Sequence, residues 1–386
     1  VDYKRELDDA AANIAAMLDA LTAEQTPVDA EPQLDRAEEL REQWGVEQGQ
    51  LWQLGDHRLI CGDCTDKAVV ERVMGGEQAI LCHADPPYGM GKEKDGIEND
   101  NLYREKLDDF QMQWWRACRP FLLDNASAYV WGTAEDLWRL WYRQLKSSER
   151  LTFRNEIVWD KTTGQGMGSD AHRMYPTASE RCLFFVIGEQ GWNNNADNYW
   201  EGFTPIVDYL ESQRVAMNWS IKDTKQIAGH SEKSGCHWFD KSQWMMPTAE
   251  TYNAWKAAAN GTAFRREYDD LRREYDDLRR EWYATRAPFD NTHTLMTDVW
   301  RFDTMRGDDR PDHPTPKPVA MIARIVRTSG TAEATTYDPF SGSGTTLIAC
   351  EQLGRRCRAI EISPAYVAVT LQRYQDATGK TPTRLG

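Results

Sequence analysis

Several things are scarce in this chain, and each scarcity narrows it. No apolar run approaches the ~20 residues that a membrane span needs, and the opening VDYKRELDDA carries no secretory-signal pattern, so no membrane partner is expected. Cysteine is sparse and scattered, 8 in 386 residues, which favours a reducing, cytoplasmic setting over a disulfide framework. Histidine numbers only 7. Cys61 and Cys64 form a C-x-x-C, and His230 with Cys236 and His237 forms a second fragment. Neither reaches the ligand count of a zinc site, so no metal is expected. Positive charge is also short: 46 Lys and Arg face 61 acids, a net of −15. At face value that disfavours a nucleic-acid partner. The deficit is uneven, however. Residues 1–50 carry a net of −9, so only −6 falls on the other 336. The remainder can still present a basic groove.

What is present is an alternation of short β-type runs with helical ones. RLICGD, AILCHA, ASAYVWG, NEIVWDK and RCLFFVIG read as strands between Gln50 and Gly188, with helices such as REKLDDFQMQWWRACRPFL and AEDLWRLWYRQLKS among them. That pattern predicts a doubly wound α/β fold with a mostly parallel sheet. The rhythm lapses over 189–305 and returns after 306 with TTYDPF and RAIEIS. The expected organisation is therefore an acidic helical extension (1–45), a first half (46–188), an insert (189–305) and a second half (306–386). Within the insert RREYDDL occurs twice in succession, and Phe264, Tyr268, Leu271, Tyr275, Leu278 and Trp282 keep a heptad spacing. This predicts a helix over 262–285. The chain is also rich in tryptophan, with 16, expected to divide between core and stacking surfaces.

Two stretches carry chemistry. DPPYG at 85–89 ends a β-type run with a carboxylate, two residues that cannot donate a backbone hydrogen bond, and a ring. DPFSGSGTT at 338–346 follows another strand and opens a helix, with Gly342 and Gly344 permitting a sharp turn close to a ligand. It lacks the Gly-Lys-Ser/Thr ending of a phosphate loop and is not G-x-G-x-x-G. Glu361, 19 residues past Gly342 on the next strand end, suits a ribose diol. A nucleoside cofactor without a pyrophosphate follows.

Together DPPY and DPFSGSGTT resemble the catalytic and cofactor motifs of the S-adenosylmethionine-dependent DNA amino-methyltransferases. HPTPKP at 313–318 and GDC at 62–64 are similar to two further motifs of that family. The order, catalytic motif first with a long insert before the cofactor motif, resembles the β class, and LWQLGDHRLICGD, HWFDKSQW and the RREYDDL repeat resemble its phage and prophage orphan modification methylases. One departure is Pro316, where relatives carry Gln or Glu. The resemblance implies a circularly permuted, Rossmann-like sheet of seven strands with a largely helical target-recognition insert. It further implies S-adenosylmethionine as cofactor, double-stranded DNA as substrate, a homodimer, and a bacterial or phage-infected cytoplasm. It assigns catalysis to Asp85, Pro86, Pro87 and Tyr88. Cofactor binding falls to Asp63, Cys64, His313, Thr315, Lys317, Asp338, Phe340, Gly342, Ser343, Gly344, Thr345, Thr346 and Glu361. Because the catalytic motif opens with Asp, adenine N6 is the expected target, with cytosine N4 as the alternative. Within the insert, His237, Trp238, Lys241, Ser242 and Trp244 are candidate DNA contacts, the Trp rings as stacking faces and Lys241 on a phosphate.

Overall fold

The alternating pattern folds into one large sheet. The computed structural model describes residues 31–89, 99–102, 105–161, 178–188, 201–231, 234–239, 244–290, 297–302 and 316–385. The chain forms two compact units, one running to Gly188 and resuming at Ala287, the other Glu189–Arg286.

The first unit holds strands β1 (Leu51–Leu54), β2 (His57–Cys61), β3 (Ala79–Ala84), β4 (Leu122–Gly132), β5 (Leu151–Asp160), β6 (Ser179–Ile187), β7 (Val299–Arg301), β8 (Thr335–Asp338), β9 (Arg356–Glu361) and β10 (Thr383–Arg384). They lie in the order β10-β1-β2-β9-β8-β3-β4-β6-β5-β7. Strands β2, β9, β8, β3 and β4 are mutually parallel, and β6 runs antiparallel between β4 and β5. These seven are the doubly wound sheet that the sequence predicts. The described chain adds three more at the edges: β1 antiparallel beside β2, β10 antiparallel beside β1, and β7 parallel to β5. All six residues of β3 are buried, as both-face burial of a central parallel strand requires.

Side-chain alternation divides the core into two layers. Leu81, Tyr129 and Trp131 face helices α9 (Val319–Ser329), α10 (Thr345–Gln352) and α11 (Pro364–Thr378). Cys82, Ala128 and Val130 face α2 (Lys67–Met74), α3 (Glu105–Cys118) and α4, the π-type helix Leu137–Leu145. Helix α1 (Ala37–Trp44) joins the first layer through Leu40, and Trp44 Nε1 donates to Gln372 of α11 at 3.1 Å. Residues 34–44 thus pack on the first unit instead of standing apart as an extension, while residues 1–30 lie outside the described residues.

The second unit contains α5 (Thr204–Ala216), α6 (Ile221–Ile227), α7 (Ala249–Ala259) and α8 (Tyr268–Ala284). A Ser220–Asp223 capping box starts α6 and Thr248 caps α7. Helix α8 begins at Tyr268, not at 262, because Phe264 takes φ +52° and turns the chain into the core ahead of it. Leu271, Tyr275 and Leu278 of the heptad seam pack into this unit's own aromatic core. The unit ends at Arg286, short of the expected 305, because the chain after it supplies β7 to the sheet of the first unit.

A buried ionic clasp fastens β2 to β9 and α10. The Cys357 N–H donates to His57 Nδ1 at 3.0 Å, which leaves Nε2 to donate to Glu351 at 2.8 Å, and Lys380 donates to the other Glu351 oxygen at 2.8 Å. The His57 hydrogen bond first, against the opposing effect of burial, and then Lys380 hold the Glu351 carboxyl down to about 2. A depressed carboxyl stabilises the fold above its unfolded pKa and loses that contribution as pH falls through its folded one. Glu351→Gln is therefore expected to lower stability at neutral pH by about 1–2 kcal/mol after solvent screening. In urea titrations the gap from wild type should close between about pH 4.5 and 2.

Candidate active site

Parallel strands deliver their C-terminal ends to one edge. From β3 the chain turns through α3 to β4, whereas from β8 it turns through α10 to the opposite neighbour β9. The crevice between β3 and β8 is thus the topological switch point, where open α/β sheets bind ligands. DPPYG leaves β3 there and DPFSGSG leaves β8 there.

Asp85 is half-buried at the end of β3. Its Oδ1 accepts the Tyr88 hydroxyl at 2.5 Å, and its Oδ2 accepts Lys317 Nζ at 2.5 Å. The loop is tied down by buried Asp100, whose Oδ1 accepts the backbone N–H groups of Tyr88 and Gly89, both at 2.9 Å. Burial first, then the charges of Asp85 and Glu180, push the Tyr88 phenol well above its ordinary pKa. Lys317 is only 7% exposed and lies 4.8 Å from the Trp131 ring centre. It also pairs with Glu180 Oε2 at 3.3 Å, and Glu180 in turn accepts Lys161. Burial alone pulls the Lys317 ammonium down, but Asp85 and Glu180 outweigh it and the net shift is upward. A cavity beside the loop is lined by Pro87, Tyr88, Gln111, Trp131, Thr133 and Asp136.

The β8 loop is held from two sides. Asp338 accepts the Phe340 N–H at 2.9 Å. Glu361 receives Gly342 N–H at 2.8 Å and Ser363 N–H at 2.9 Å, one on each oxygen. From α11, Thr370 donates to the Gly342 carbonyl at 3.1 Å. The buried Arg373 guanidinium donates to the Ser343 carbonyl at 2.9 Å and to Thr345 Oγ1 at 3.2 Å. Thr346 reaches β3: its hydroxyl meets His83 Nδ1 at 3.0 Å, and Trp131 Nε1 donates to His83 Nε2 at 3.0 Å. Because indole is only a donor, neutral His83 must carry its proton on Nδ1 and give it to Thr346. The GDC segment completes the ring. Burial, then the carboxylates of Asp63, Glu361 and Asp338, raise the Cys64 thiol well above its usual pKa. Asp63 itself accepts the Thr65 N–H at 2.8 Å.

The sequence-predicted residues Asp63, Cys64, Asp85–Tyr88, Lys317, Asp338, Phe340, Gly342–Thr346 and Glu361 therefore share one edge of one sheet. Lys317 sits on the Asp85 carboxylate and not on the glycine loop. His313 and Thr315 lie outside the described residues, as do Lys241 and Ser242. In the second unit Trp238 is 3% exposed and packed on Trp255, so it offers no face to a base. Trp244 is likewise engaged with Phe203 and Tyr275, and its Nε1 donates to the Trp238 carbonyl at 2.9 Å. The reason is that this unit, helical among its described residues, builds its core from rings. His237 is half-buried. Glu180, Asp100, His83, Trp131 and Arg373 were not singled out from sequence. Of these only His83 carried a signal, as the one polar residue in the apolar run AILCHA.

Residues 80–372 match a family model described as DNA methylase, and the chain belongs to that family, the S-adenosylmethionine-dependent DNA amino-methyltransferases. It is 24% identical over 323 residues to the type II methyltransferase M1.MboII of Moraxella bovis, covering 81% of this chain and 92% of that one. It is 23% identical over 303 residues to the DNA adenine methyltransferase YhdJ of Escherichia coli K12, covering 78% of each. The crystal structure of an M1.HpyAVI–SAM complex superposes with a TM-score of 0.46 at 13% identity, over 82% of this chain and 97% of that chain. The local structure fits such a cofactor. The buried Ser341 hydroxyl has no partner among the described residues, and the space a Cβ on Gly342 would enter is open.

The two glycines of the loop make a contrast. A Cβ on Gly344 would stand 2.5 Å from Thr370 Cγ2, at φ +82°, whereas Gly342 at φ +52° faces no atom within 4 Å. Gly344→Ala is expected to cost roughly 1–3 kcal/mol of stability through overpacking. Gly342→Ala should cost about 1 kcal/mol of left-handed strain and show its larger effect as weakened S-adenosylmethionine binding. Thermal unfolding and calorimetric titration of both variants check this.

Proposed function

We propose that this chain is a site-specific enzyme methylating the exocyclic N6 amine of adenine in duplex DNA. The observation that carries this reading is the Asp85 carboxylate, fixed by Tyr88 and Lys317 at the switch point beside the β8 loop. An exocyclic amine is a poor nucleophile because its lone pair is delocalised into the ring. Asp85 accepts one amine hydrogen and the Pro86 carbonyl accepts the other, so the nitrogen moves toward tetrahedral geometry. Pro86 and Pro87 fix the direction of that carbonyl without competing donors. The Tyr88 ring gives the base a stacking face. A base inside a duplex cannot reach such a pocket, so the target is flipped out. Bound S-adenosylmethionine supplies an electrophilic methyl group. Of the chain's own residues, Glu361, Gly342 and Ser343 hold its nucleoside end, with Asp63 and Cys64 near the adenine, and the protein contributes positioning and hydrogen bonds. The Asp that opens the motif supports adenine as the base.

Asp85→Ala is expected to lower methyl transfer roughly 100- to 1,000-fold or more, by analogy with the loss of a preorganised hydrogen-bond partner, while cofactor affinity in calorimetry stays near wild type. Digestion of the methylated DNA to nucleosides should yield 6-methyladenine. Finding 4-methylcytosine in its place would reverse the choice of base.

We further assign site selection to residues 189–305, working in a cytoplasmic enzyme. Resemblance to the β class supports a homodimer, formed through surfaces other than the Leu271–Leu278 seam, which its own unit uses. With Trp238 and Trp244 engaged in packing, the contact to DNA from HWFDKSQW falls to Lys241 acting on a phosphate. Lys241→Ala should weaken DNA binding and flatten the slope of log affinity against log salt by about one. Fluorescence anisotropy across a salt series measures both.

A further inference from the structure

Both oxygens of Asp85 already carry a donor: the Tyr88 hydroxyl on one and the Lys317 ammonium on the other, each at 2.5 Å. Each oxygen keeps a further lone pair, but an amine hydrogen arriving from a target base must share the carboxylate with an ammonium, the stronger donor of the two. Once the base wins, Lys317 is left as a buried cation, and an unpaired buried charge is costly. A second anion is in place. Glu180, at the start of the antiparallel strand β6, holds Oε2 at 3.3 Å from Lys317 Nζ, and its other oxygen accepts Lys161 from the end of β5. Four charges thus alternate in a row: Lys161, Glu180, Lys317, Asp85.

We propose that Glu180 is a positioning residue for methyl transfer: it takes over the Lys317 ammonium and so releases an oxygen of Asp85 to the target amine. This rests on the reading of Asp85 as the amine acceptor. The groups facing Lys317 are Asp85 and Tyr88 from the β3 loop, Trp131 from β4, Glu180 and Cys182 from β6, with Lys161 behind Glu180. Burial raises the Glu180 carboxyl, but Lys317 and Lys161 bring it below its ordinary value. Burial lifts the Tyr88 phenol and the Cys182 thiol well above theirs. Near neutral pH Glu180 and Lys317 therefore stay charged while Tyr88 and Cys182 stay neutral.

The test is Glu180→Gln, read by single-turnover transfer of a labelled methyl group from S-adenosylmethionine to DNA, which counts transfer to any base. With Asp85 as its only carboxylate, Lys317 yields that oxygen easily only after losing its proton. The variant is therefore expected to run at least tenfold slower than wild type at about pH 7 and to recover as pH rises above neutral, the direction in which an ammonium deprotonates. Wild type should be flat over that range. Adding Lys317→Arg should abolish the recovery, because a guanidinium does not deprotonate. An unchanged rate at neutral pH overturns the proposal. So does a loss that is flat with pH and tracks a lowered melting temperature, which would make Glu180 a brace between β5 and β6. If the glutamine variant does not fold, Glu180→Asp carries the test. Shortening the reach by one methylene is expected to slow transfer several-fold with a weaker rise with pH, and a wild-type rate overturns the proposal. A wild-type rate in Asp85→Ala would instead remove the reading on which the proposal rests, whatever Glu180 does.

Discussion

Strands β3 and β8 lie side by side in parallel, and the chain leaves them in opposite directions. Backbone at that point has no crossover helix above it, so a crevice opens where the two loops part. Each loop is then stiffened by a different means. Prolines and buried Asp100 fix the loop from β3, and left-handed glycines with Arg373 and Glu361 fix the loop from β8. The chemistry of a methyl transfer needs two partners held at one place, and the reversal of winding supplies that place before any side chain is chosen.

His83 joins the two halves of the crevice. It stands two residues ahead of Asp85, on the same strand, and bonds both to Thr346 in the helix after the β8 loop and to Trp131, over whose ring Lys317 rests. A buried imidazole whose two nitrogens both have assigned partners has one tautomer and one orientation. Strand β3 and the helix after the glycine loop thus share a hydrogen-bond network that runs through the core and not over the surface.

Legibility from sequence followed locality. Proline and glycine act on their own backbone, so DPPY, Gly342 and Gly344 could be read directly, and Glu361 followed from a fixed distance along one βαβ unit. The alternation of strands and helices gave the sheet, though β10 and β7, of two and three residues, are too short to leave a periodic trace. Glu180, Asp100 and Arg373 act across loops or between strands and helices far apart in the chain, and nothing in their neighbourhoods marks them. Trp238 went the other way. Its charged surroundings suggested a surface, whereas a small unit that is helical among its described residues uses large rings to close its interior. The same demand turns Phe264 inward and delays the start of α8.

The two outermost strands have a consequence for how the protein behaves in a crowded solution. A wide sheet that ends in a long, flat strand offers unpaired N–H and C=O groups to any passing chain and invites fibril-like growth. Here the outermost strands are only two and three residues long. Arg384 is exposed on one, and on the other Arg301 is 77% exposed and paired with Asp160 at 3.2 Å. So short and charged a margin gives an incoming strand almost nothing to lengthen upon. The strands β10 and β7 themselves thus give another chain little to pair with.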